Sequence, residues 1–433
     1  MISVKGDILK VKTTYETSPN IALVKYWGKF DEEYILPLNS STGITLSTED
    51  LQTRTTITLT NKYKEIKFLL NGQPHPVSGR LKKILKFFEE KTLAALGEEL
   101  VPLQEGDNQE TKRKNLKEFL NGDLSQLKLK IKSVNSFPTA SGLASSASGL
   151  AALSVCLFDV YHMKEEYDFQ RSVIARLGSG SASRSIYGGL VEWTGVPHQF
   201  LQRKFETKNN EVQLSEQEYE QLSKLCIAKQ THNETFFEDL DVFVVAYSFE
   251  SKEVPSTSGM LQSTQTSELL KYRALNTAHV HIAGVKKAIE QKDYNELARL
   301  VRLDSNQFHA VCLDTTPPIF YLNDFSKNMI NFIHQLDSAL EYHVAYTFDA
   351  GPHAVLLVHK NHTPQVLRAI YEAFSIADTD SLNSRAQQTL KQAMEQELPE
   401  SIQKIIQTNK PKITTTPSYI IHTKVGKGPT KKN

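Results

Sequence analysis

The chain has little cysteine, almost no net charge and no long apolar run, and each shortage removes a class of protein. Its 433 residues include three cysteines, Cys156, Cys226 and Cys312, far apart from one another. That spacing excludes a disulfide framework and a CxxC metal site and suits a reducing compartment. Each thiol reads as a small buried apolar residue. Fifty basic side chains stand against forty-nine acidic ones, a formal net charge of +1. Such a balance exerts no long-range pull on nucleic acid or on an anionic membrane, so an anionic ligand must be held by locally placed cations. No stretch reaches the roughly 20 apolar residues that span a bilayer. The opening Met1-Ile2-Ser3-Val4-Lys5-Gly6-Asp7 lacks the apolar core of a secretory signal. The expectation is a cytoplasmic protein with neither nucleic acid nor membrane as a partner.

What is present suits a packed globular chain: 39% of residues are hydrophobic and 23% charged. The length suggests two domains or one bilobed one. Thr53–Thr60 alternates polar and β-branched residues like a strand, and residues 66–70 run into Asn71-Gly72, a hairpin signal. Residues 80–96 read as an amphipathic helix with Leu81, Ile84, Leu85 and Phe88 on one face. Residues 127–134 alternate like a strand, and 144–161 read as a mostly buried helix. Further strands are expected at 242–247, 343–348 and 354–358, with helix formers over 267–302. Strands and helices mix in both halves, so the expected fold class is α+β. Polar residues 202–221 mark a soft boundary. They divide the chain into an N-terminal domain 1–205, a C-terminal domain 206–415 and a basic tail 416–433 expected to be disordered.

Two loops are rich in small residues. Pro138, Thr139, Ala140, Ser141, Gly142, Leu143, Ala144, Ser145, Ser146 and Ala147 follow a strand and open into a helix. Backbone N–H groups there can approach a phosphate closely, and the helix N-terminus adds partial positive charge. Ser145 and Ser146 could donate to phosphate or ligate Mg²⁺. The same letters also suit a loop tucked against the core with serine caps. No Gly-Lys-Ser/Thr follows, which argues against the usual P-loop fold. The second loop, Gly178-Ser179-Gly180-Ser181-Ala182-Ser183-Arg184, sets three hydroxyls and a guanidinium beside two of its glycines. Arg184 could take a carboxylate or phosphate through paired hydrogen bonds, or simply be solvated. Asp349, in the Asp349-Ala350-Gly351-Pro352-His353 turn, could act on a substrate proton or cap the turn.

Taken together, these motifs resemble the diphosphomevalonate decarboxylases of the GHMP kinase superfamily. Asn20-Ile21-Ala22-Leu23-Val24-Lys25-Tyr26-Trp27-Gly28-Lys29 is similar to that family's N-terminal signature, and Leu36-Pro37-Leu38-Asn39-Ser40-Ser41 follows at its spacing. The two loops, Pro255-Ser256-Thr257-Ser258-Gly259-Met260, Asp304-Ser305-Asn306 with His309, and Thr347-Phe348-Asp349-Ala350-Gly351-Pro352 then fall in family order. His353 stands where the family usually has Asn, Ser183 where it usually has Cys, and residues 103–115 are longer than is typical.

The resemblance implies a two-lobed GHMP-kinase-type fold. Its N-terminal lobe is shared with a ribosomal protein, its C-terminal lobe is ferredoxin-like, and a cleft lies between them. It also implies a homodimer using ATP and Mg²⁺ to convert (R)-5-diphosphomevalonate into isopentenyl diphosphate. By the same resemblance Asp349 orients or deprotonates the 3-hydroxyl, Lys25 bridges Asp349 and the transferred phosphoryl group, and Arg184 with Asn20 grips the C1 carboxylate. Tyr26, Lys29, Arg80, Ser179 and Ser181 fall to the substrate's diphosphate, Ser256 to a further substrate contact, and residues 138–147 to ATP. Trp27 and the Asp304 motif are expected to serve the structure.

Overall fold

Alternation decides the first sheet. In Thr53–Thr60 the residues Thr53, Thr55, Ile57 and Leu59 all point inward and are buried. The strand pairs antiparallel with Ile8–Thr17 on one side and Lys128–Asn135 on the other. Lys128–Asn135 then runs parallel to Lys67–Leu70, which turns back into Gln73–Pro74. The turn is Asn71-Gly72, with φ of 49° and 82°, both in the left-handed region that a tight hairpin of this hand requires. The computed structural model describes residues 2–5, 8–95, 100–101, 114–115, 126–137, 145–161, 170–207, 212–247 and 252–432.

Two helices cover this sheet. Gly79–Ala95 puts the expected Leu81, Ile84, Leu85 and Phe88 into a core shared with Leu9, Leu59, Ile131, Leu157 and Phe158. Phe88 is fully buried, and replacing such a side chain with Ala costs about 3–5 kcal/mol. Ser145–Val160 buries residues around much of its circumference, as a helix enclosed by its neighbours should.

A second sheet, entirely antiparallel, runs Ala228–His232, Leu190–Trp193, Ser41–Thr45, Asn20–Val24. A third runs Ala345–Phe348, Ala354–His359, Leu240–Ala246, Tyr419–Lys424. Numbered along the chain, its strands lie in the order 2-3-1-4, with helices between the first and second and between the third and fourth. That is the ferredoxin-like arrangement, and the fold is α+β throughout.

The expected boundary at 205/206 does not separate two cores. Ala228–His232 belongs to the sheet of the N-terminal half, and one hydrophobic cluster joins Ile21, Leu23 and Ile44 to Val242, Val244, Val285, Leu357 and Ile421.

Residues 416–432 correct the expectation of a disordered tail over 416–433. Ile420 faces the core of the C-terminal half and Ile421 the shared core, so Tyr419–Lys424 is held on both faces. The chain then crosses to the first sheet, where Thr430–Lys432 pairs with Thr14–Glu16. Lys431 meets Asp159 and Lys432 meets Glu16, each at 2.9 Å. The basic composition had hidden two core isoleucines and two acidic partners. The stretch 103–115, longer than is typical of the family, lies outside the described residues except for Lys114–Asn115, which pair with Leu100–Val101. Among the described residues no helix is long and apolar enough to cross a membrane.

Candidate active site

Between the lobes lies a cleft with about 660 Å³ of water-accessible space. Among the described residues six cations line it, Lys25, Lys29, Arg80, Lys83, Arg184 and Lys252, against two carboxylates, Glu32 and Asp349. A chain that is nearly neutral overall thus concentrates positive charge in one concavity, which is what a polyanionic ligand needs.

Lys25 and Asp349 meet in its lining. Lys25 follows the strand Asn20–Val24, and Asp349 follows Ala345–Phe348 at a turn closed by the Gly351 N–H on the Asp349 carbonyl at 2.7 Å. The Lys25 Nζ donates to Asp349 Oδ1 at 2.6 Å. The lysine side chain is 3% exposed and the carboxylate 39%, so the pair is enclosed behind and open in front. Burial pushes the Lys25 ammonium below the ordinary lysine range, with Asp349 pulling back the other way. Burial pushes the Asp349 carboxyl up, but Lys25, Arg184 and Lys252 more than offset it and hold it below its usual range. The carboxylate is ionised at neutral pH.

Arg184 comes from a short 3-10 helix, Gly180–Ile186, and is buried. Its Nε donates to Asn20 Oδ1 at 2.9 Å and a terminal nitrogen to Ser41 Oγ at 2.7 Å. Burial pulls its pKa down to about 10, which leaves the guanidinium charged at neutral pH. Asn20 also donates to the Ser181 carbonyl and to Ser185 Oγ. In this structure Asn20 therefore works as the holder of Arg184, and it lines a small pocket behind Asp349 rather than the main cleft. Gly180 lets this segment close down: a Cβ there would sit 2.7 Å from Trp193 and 2.9 Å from Tyr26.

The remaining expected residues spread along the same cleft. Tyr26 packs on Trp193 with ring centroids 4.6 Å apart, and its buried hydroxyl has no hydrogen-bond partner among the described residues. Lys29 pairs with Glu32 at 2.5 Å. Ser179 and Ser181 hydroxyls lie 3.3 Å apart. Arg80 reaches across to Thr257 Oγ1 at 2.6 Å, and Ser256 accepts from Lys252 at 3.1 Å. Trp27 is buried, donating to Ser263 and edge-on to Phe308 and Tyr321, as its expected packing role requires.

Of the ATP loop, Pro138, Thr139, Ala140, Ser141, Gly142, Leu143 and Ala144 lie outside the described residues. Ser145 begins the helix, Ser146 lines the cleft, and Ala147 is packed inside. His353, the departure nearest Asp349, accepts the Tyr247 N–H at 3.1 Å. Ser183, the other departure, donates to the Gly180 carbonyl at 2.6 Å.

Sequence reasoning missed Lys252. It donates to the Ala350 carbonyl at 2.9 Å, and burial lowers its pKa with Asp349 opposing. Its only signal was a cation four residues ahead of Ser256. His309, a member of the Asp304 motif expected to serve the structure, is buried, and its pKa falls to about 3 through burial and then through the nearby Lys25 charge, leaving a neutral imidazole.

Two family models match the chain. The diphosphomevalonate decarboxylase-like N-terminal domain covers residues 17–199, and the mevalonate 5-diphosphate decarboxylase C-terminal domain covers residues 242–432. The human diphosphomevalonate decarboxylase is 36% identical over 95% of this chain and 92% of its own length. Its counterpart from Saccharomyces cerevisiae is 37% identical over 84% and 83%. Among solved structures, mevalonate diphosphate decarboxylase from Trypanosoma brucei superposes with a TM-score of 0.76 at 28% identity, covering 98% of each chain. A structure described as MDDEF in complex with MVAPP, AMPPCP and magnesium shares the fold, with a TM-score of 0.65 at 24% identity and coverage of 98% and 99%.

Proposed function

The chain belongs to the diphosphomevalonate decarboxylases, and from that membership and the cleft we propose how its residues divide the work. The reaction consumes ATP and 5-diphosphomevalonate and yields isopentenyl diphosphate, ADP, phosphate and CO₂. The tertiary 3-hydroxyl attacks the γ-phosphorus of ATP and ADP departs. The C3–O bond then breaks with its electron pair leaving on phosphate. The C1–C2 bond pair becomes the new double bond as C1 departs as CO₂. Hydroxide is a poor leaving group and phosphate a good one, which is why phosphorylation comes first.

Asp349 acts on the 3-hydroxyl, orienting it and accepting its proton. The observation that carries this is the Lys25–Asp349 pair at 2.6 Å: an ionised carboxylate held by one cation, with its open side toward the cleft. Lys25 offsets charge growing on the transferred phosphoryl oxygens. Arg184, steadied by Asn20 and Ser41, holds the C1 carboxylate. Arg80, Lys29, Tyr26, Ser179 and Ser181 receive the diphosphate, and Ser256 with Lys252 lines the same cleft as a further substrate contact. Tyr26's partnerless hydroxyl supports its share, because a buried O–H without an acceptor is costly until a ligand supplies one.

ATP approaches residues 138–147, and Mg²⁺ enters with it as part of that substrate. Among the described residues no cluster of His, Cys, Asp or Glu could hold a metal ion. The hydroxyls of Ser145 and Ser146 are the groups assigned to it, as hard oxygen donors that suit this cation. Homodimerisation and a cytoplasmic site of action belong to the same proposal.

The test is one incubation with ATP, Mg²⁺ and 5-diphosphomevalonate labelled at C1, following CO₂ and ADP together. Equimolar release is expected. ADP without CO₂ would mean a kinase that stops at the phosphorylated intermediate.

A further inference from the structure

Lys25 and Asp349 lie 324 residues apart in sequence and at the ends of strands in different sheets, so strand pairing does not register them. One helix touches both. Tyr294–Asp314 packs behind the two strands, and its consecutive residues Asp304 and Ser305 are fully buried. Asp304 Oδ2 accepts the backbone N–H of Lys25 at 2.7 Å. Ser305 Oγ accepts the backbone N–H of Phe348, the residue before Asp349, at 3.0 Å.

The Lys25 peptide is gripped on its other side as well. Its carbonyl accepts from Arg273 at 3.0 Å and from Asn39 at 2.9 Å. Arg273, also fully buried, bonds Asp304 in turn at 2.9 Å and 3.0 Å, and His281 Nδ1 lies 2.8 Å from the same carboxylate. Arg273 opens a five-residue π-helical segment, Arg273–Thr277. A π segment costs regular helix hydrogen bonds and persists where a local purpose holds it.

We propose that Asp304 and Ser305, with Arg273, are positioning residues that set the distance between the Lys25 ammonium and the Asp349 carboxylate. A buried ion pair is a poor way to add stability, since well-packed apolar residues of similar volume often do as well or better. Here the polar atoms are aimed at the backbone of Lys25 and of Phe348, the neighbour of Asp349, which apolar packing cannot grip. A misplacement of about 1 Å at such a site can cost on the order of 10²-fold in rate. The inference rests on Lys25 and Asp349 carrying the chemistry.

The experiment is a double-mutant cycle on the full-length enzyme with Ser305→Ala and Asp349→Asn. Ser305→Ala is expected to lower kcat about tenfold with KM for 5-diphosphomevalonate within about twofold, and to add nothing in the Asp349→Asn background. Unchanged kcat in folded Ser305→Ala, or a loss that multiplies with that of Asp349→Asn, would overturn the positioning role. Full turnover in Asp349→Asn alone would instead remove the reading of the pair itself. A second variant, Asp304→Asn, keeps an acceptor for the Lys25 N–H but deletes one negative charge facing it. The groups around Lys25 are Asp349 and Arg184 at the cleft, Asp304 and Arg273 behind its backbone, and His309. Removing the anion favours the neutral amine, so the alkaline limb of kcat/KM moves to lower pH. An unmoved limb in a folded Asp304→Asn enzyme would count against the arrangement.

Discussion

Two ion pairs lie back to back in this molecule, and they differ in what each has left over. Asp304–Arg273 is fully dry, 0% exposed on both sides. Its carboxylate is saturated by Arg273, His281 and the Lys25 N–H. Burial pushes the Asp304 carboxyl up, and those partners, Arg273 foremost, bring it below the usual carboxylate range. Lys25–Asp349 likewise joins a carboxylate to a cation, here an ammonium at 2.6 Å, but its aspartate side chain is 39% exposed and faces the cleft. A saturated carboxylate can only hold geometry. One with an open side can take a proton or a hydroxyl from a ligand. Both pairs set a carboxylate against a cation, and what divides their roles is the hydrogen-bonding capacity each carboxylate has left.

That comparison can be broken from either side. The largest expected effect is on the open pair: Asp349→Asn lowers kcat by roughly 10²–10⁴-fold with substrate binding largely kept, as read from steady-state kinetics. On the dry pair, Arg273→Met strands the Asp304 carboxylate without its cation and is expected to cost about 3–5 kcal/mol in urea unfolding. Arg184→Ala removes a buried guanidinium that does not belong to either pair. It is expected to weaken 5-diphosphomevalonate binding by about 2–5 kcal/mol, seen as a raised KM. At the small end, Lys271 pairs with Glu268 at 2.6 Å on the surface, the glutamate side chain 79% exposed. Lys271→Ala is expected to change stability by less than about 1 kcal/mol and turnover not at all. A large effect there would mean that distance alone, not surroundings, sets the worth of a pair.

Much of this was legible in the sequence, for physical reasons that differ by residue. Thr53–Thr60 and the face of Leu81, Ile84, Leu85 and Phe88 are local patterns of period two and of helical period, and the structure keeps them. Lys25, Ser146, Arg184, Ser256 and Asp349 entered the cleft from short motifs that could be read in order. Local pattern could not say that Asn20 would be spent on Arg184 or that Lys252 would turn to the Ala350 carbonyl. Nor could it pair Arg273 with Asp304, because those contacts join distant segments. The tail failed for a different reason: Ile420 and Ile421 are a two-residue apolar signal inside a basic, glycine-containing stretch. Pairing with Leu240–Ala246 carries them into cores assembled from distant segments.

The most direct measurement is kcat and thermal midpoint together for Asp349→Asn and Arg273→Met, each against the unaltered enzyme. The account predicts that Asp349→Asn loses turnover while its midpoint stays within a few degrees, and that Arg273→Met loses several kcal/mol of stability. An Asp349→Asn enzyme that keeps its rate, or that unfolds as readily as Arg273→Met, would contradict the division between an open pair for chemistry and a dry pair for structure.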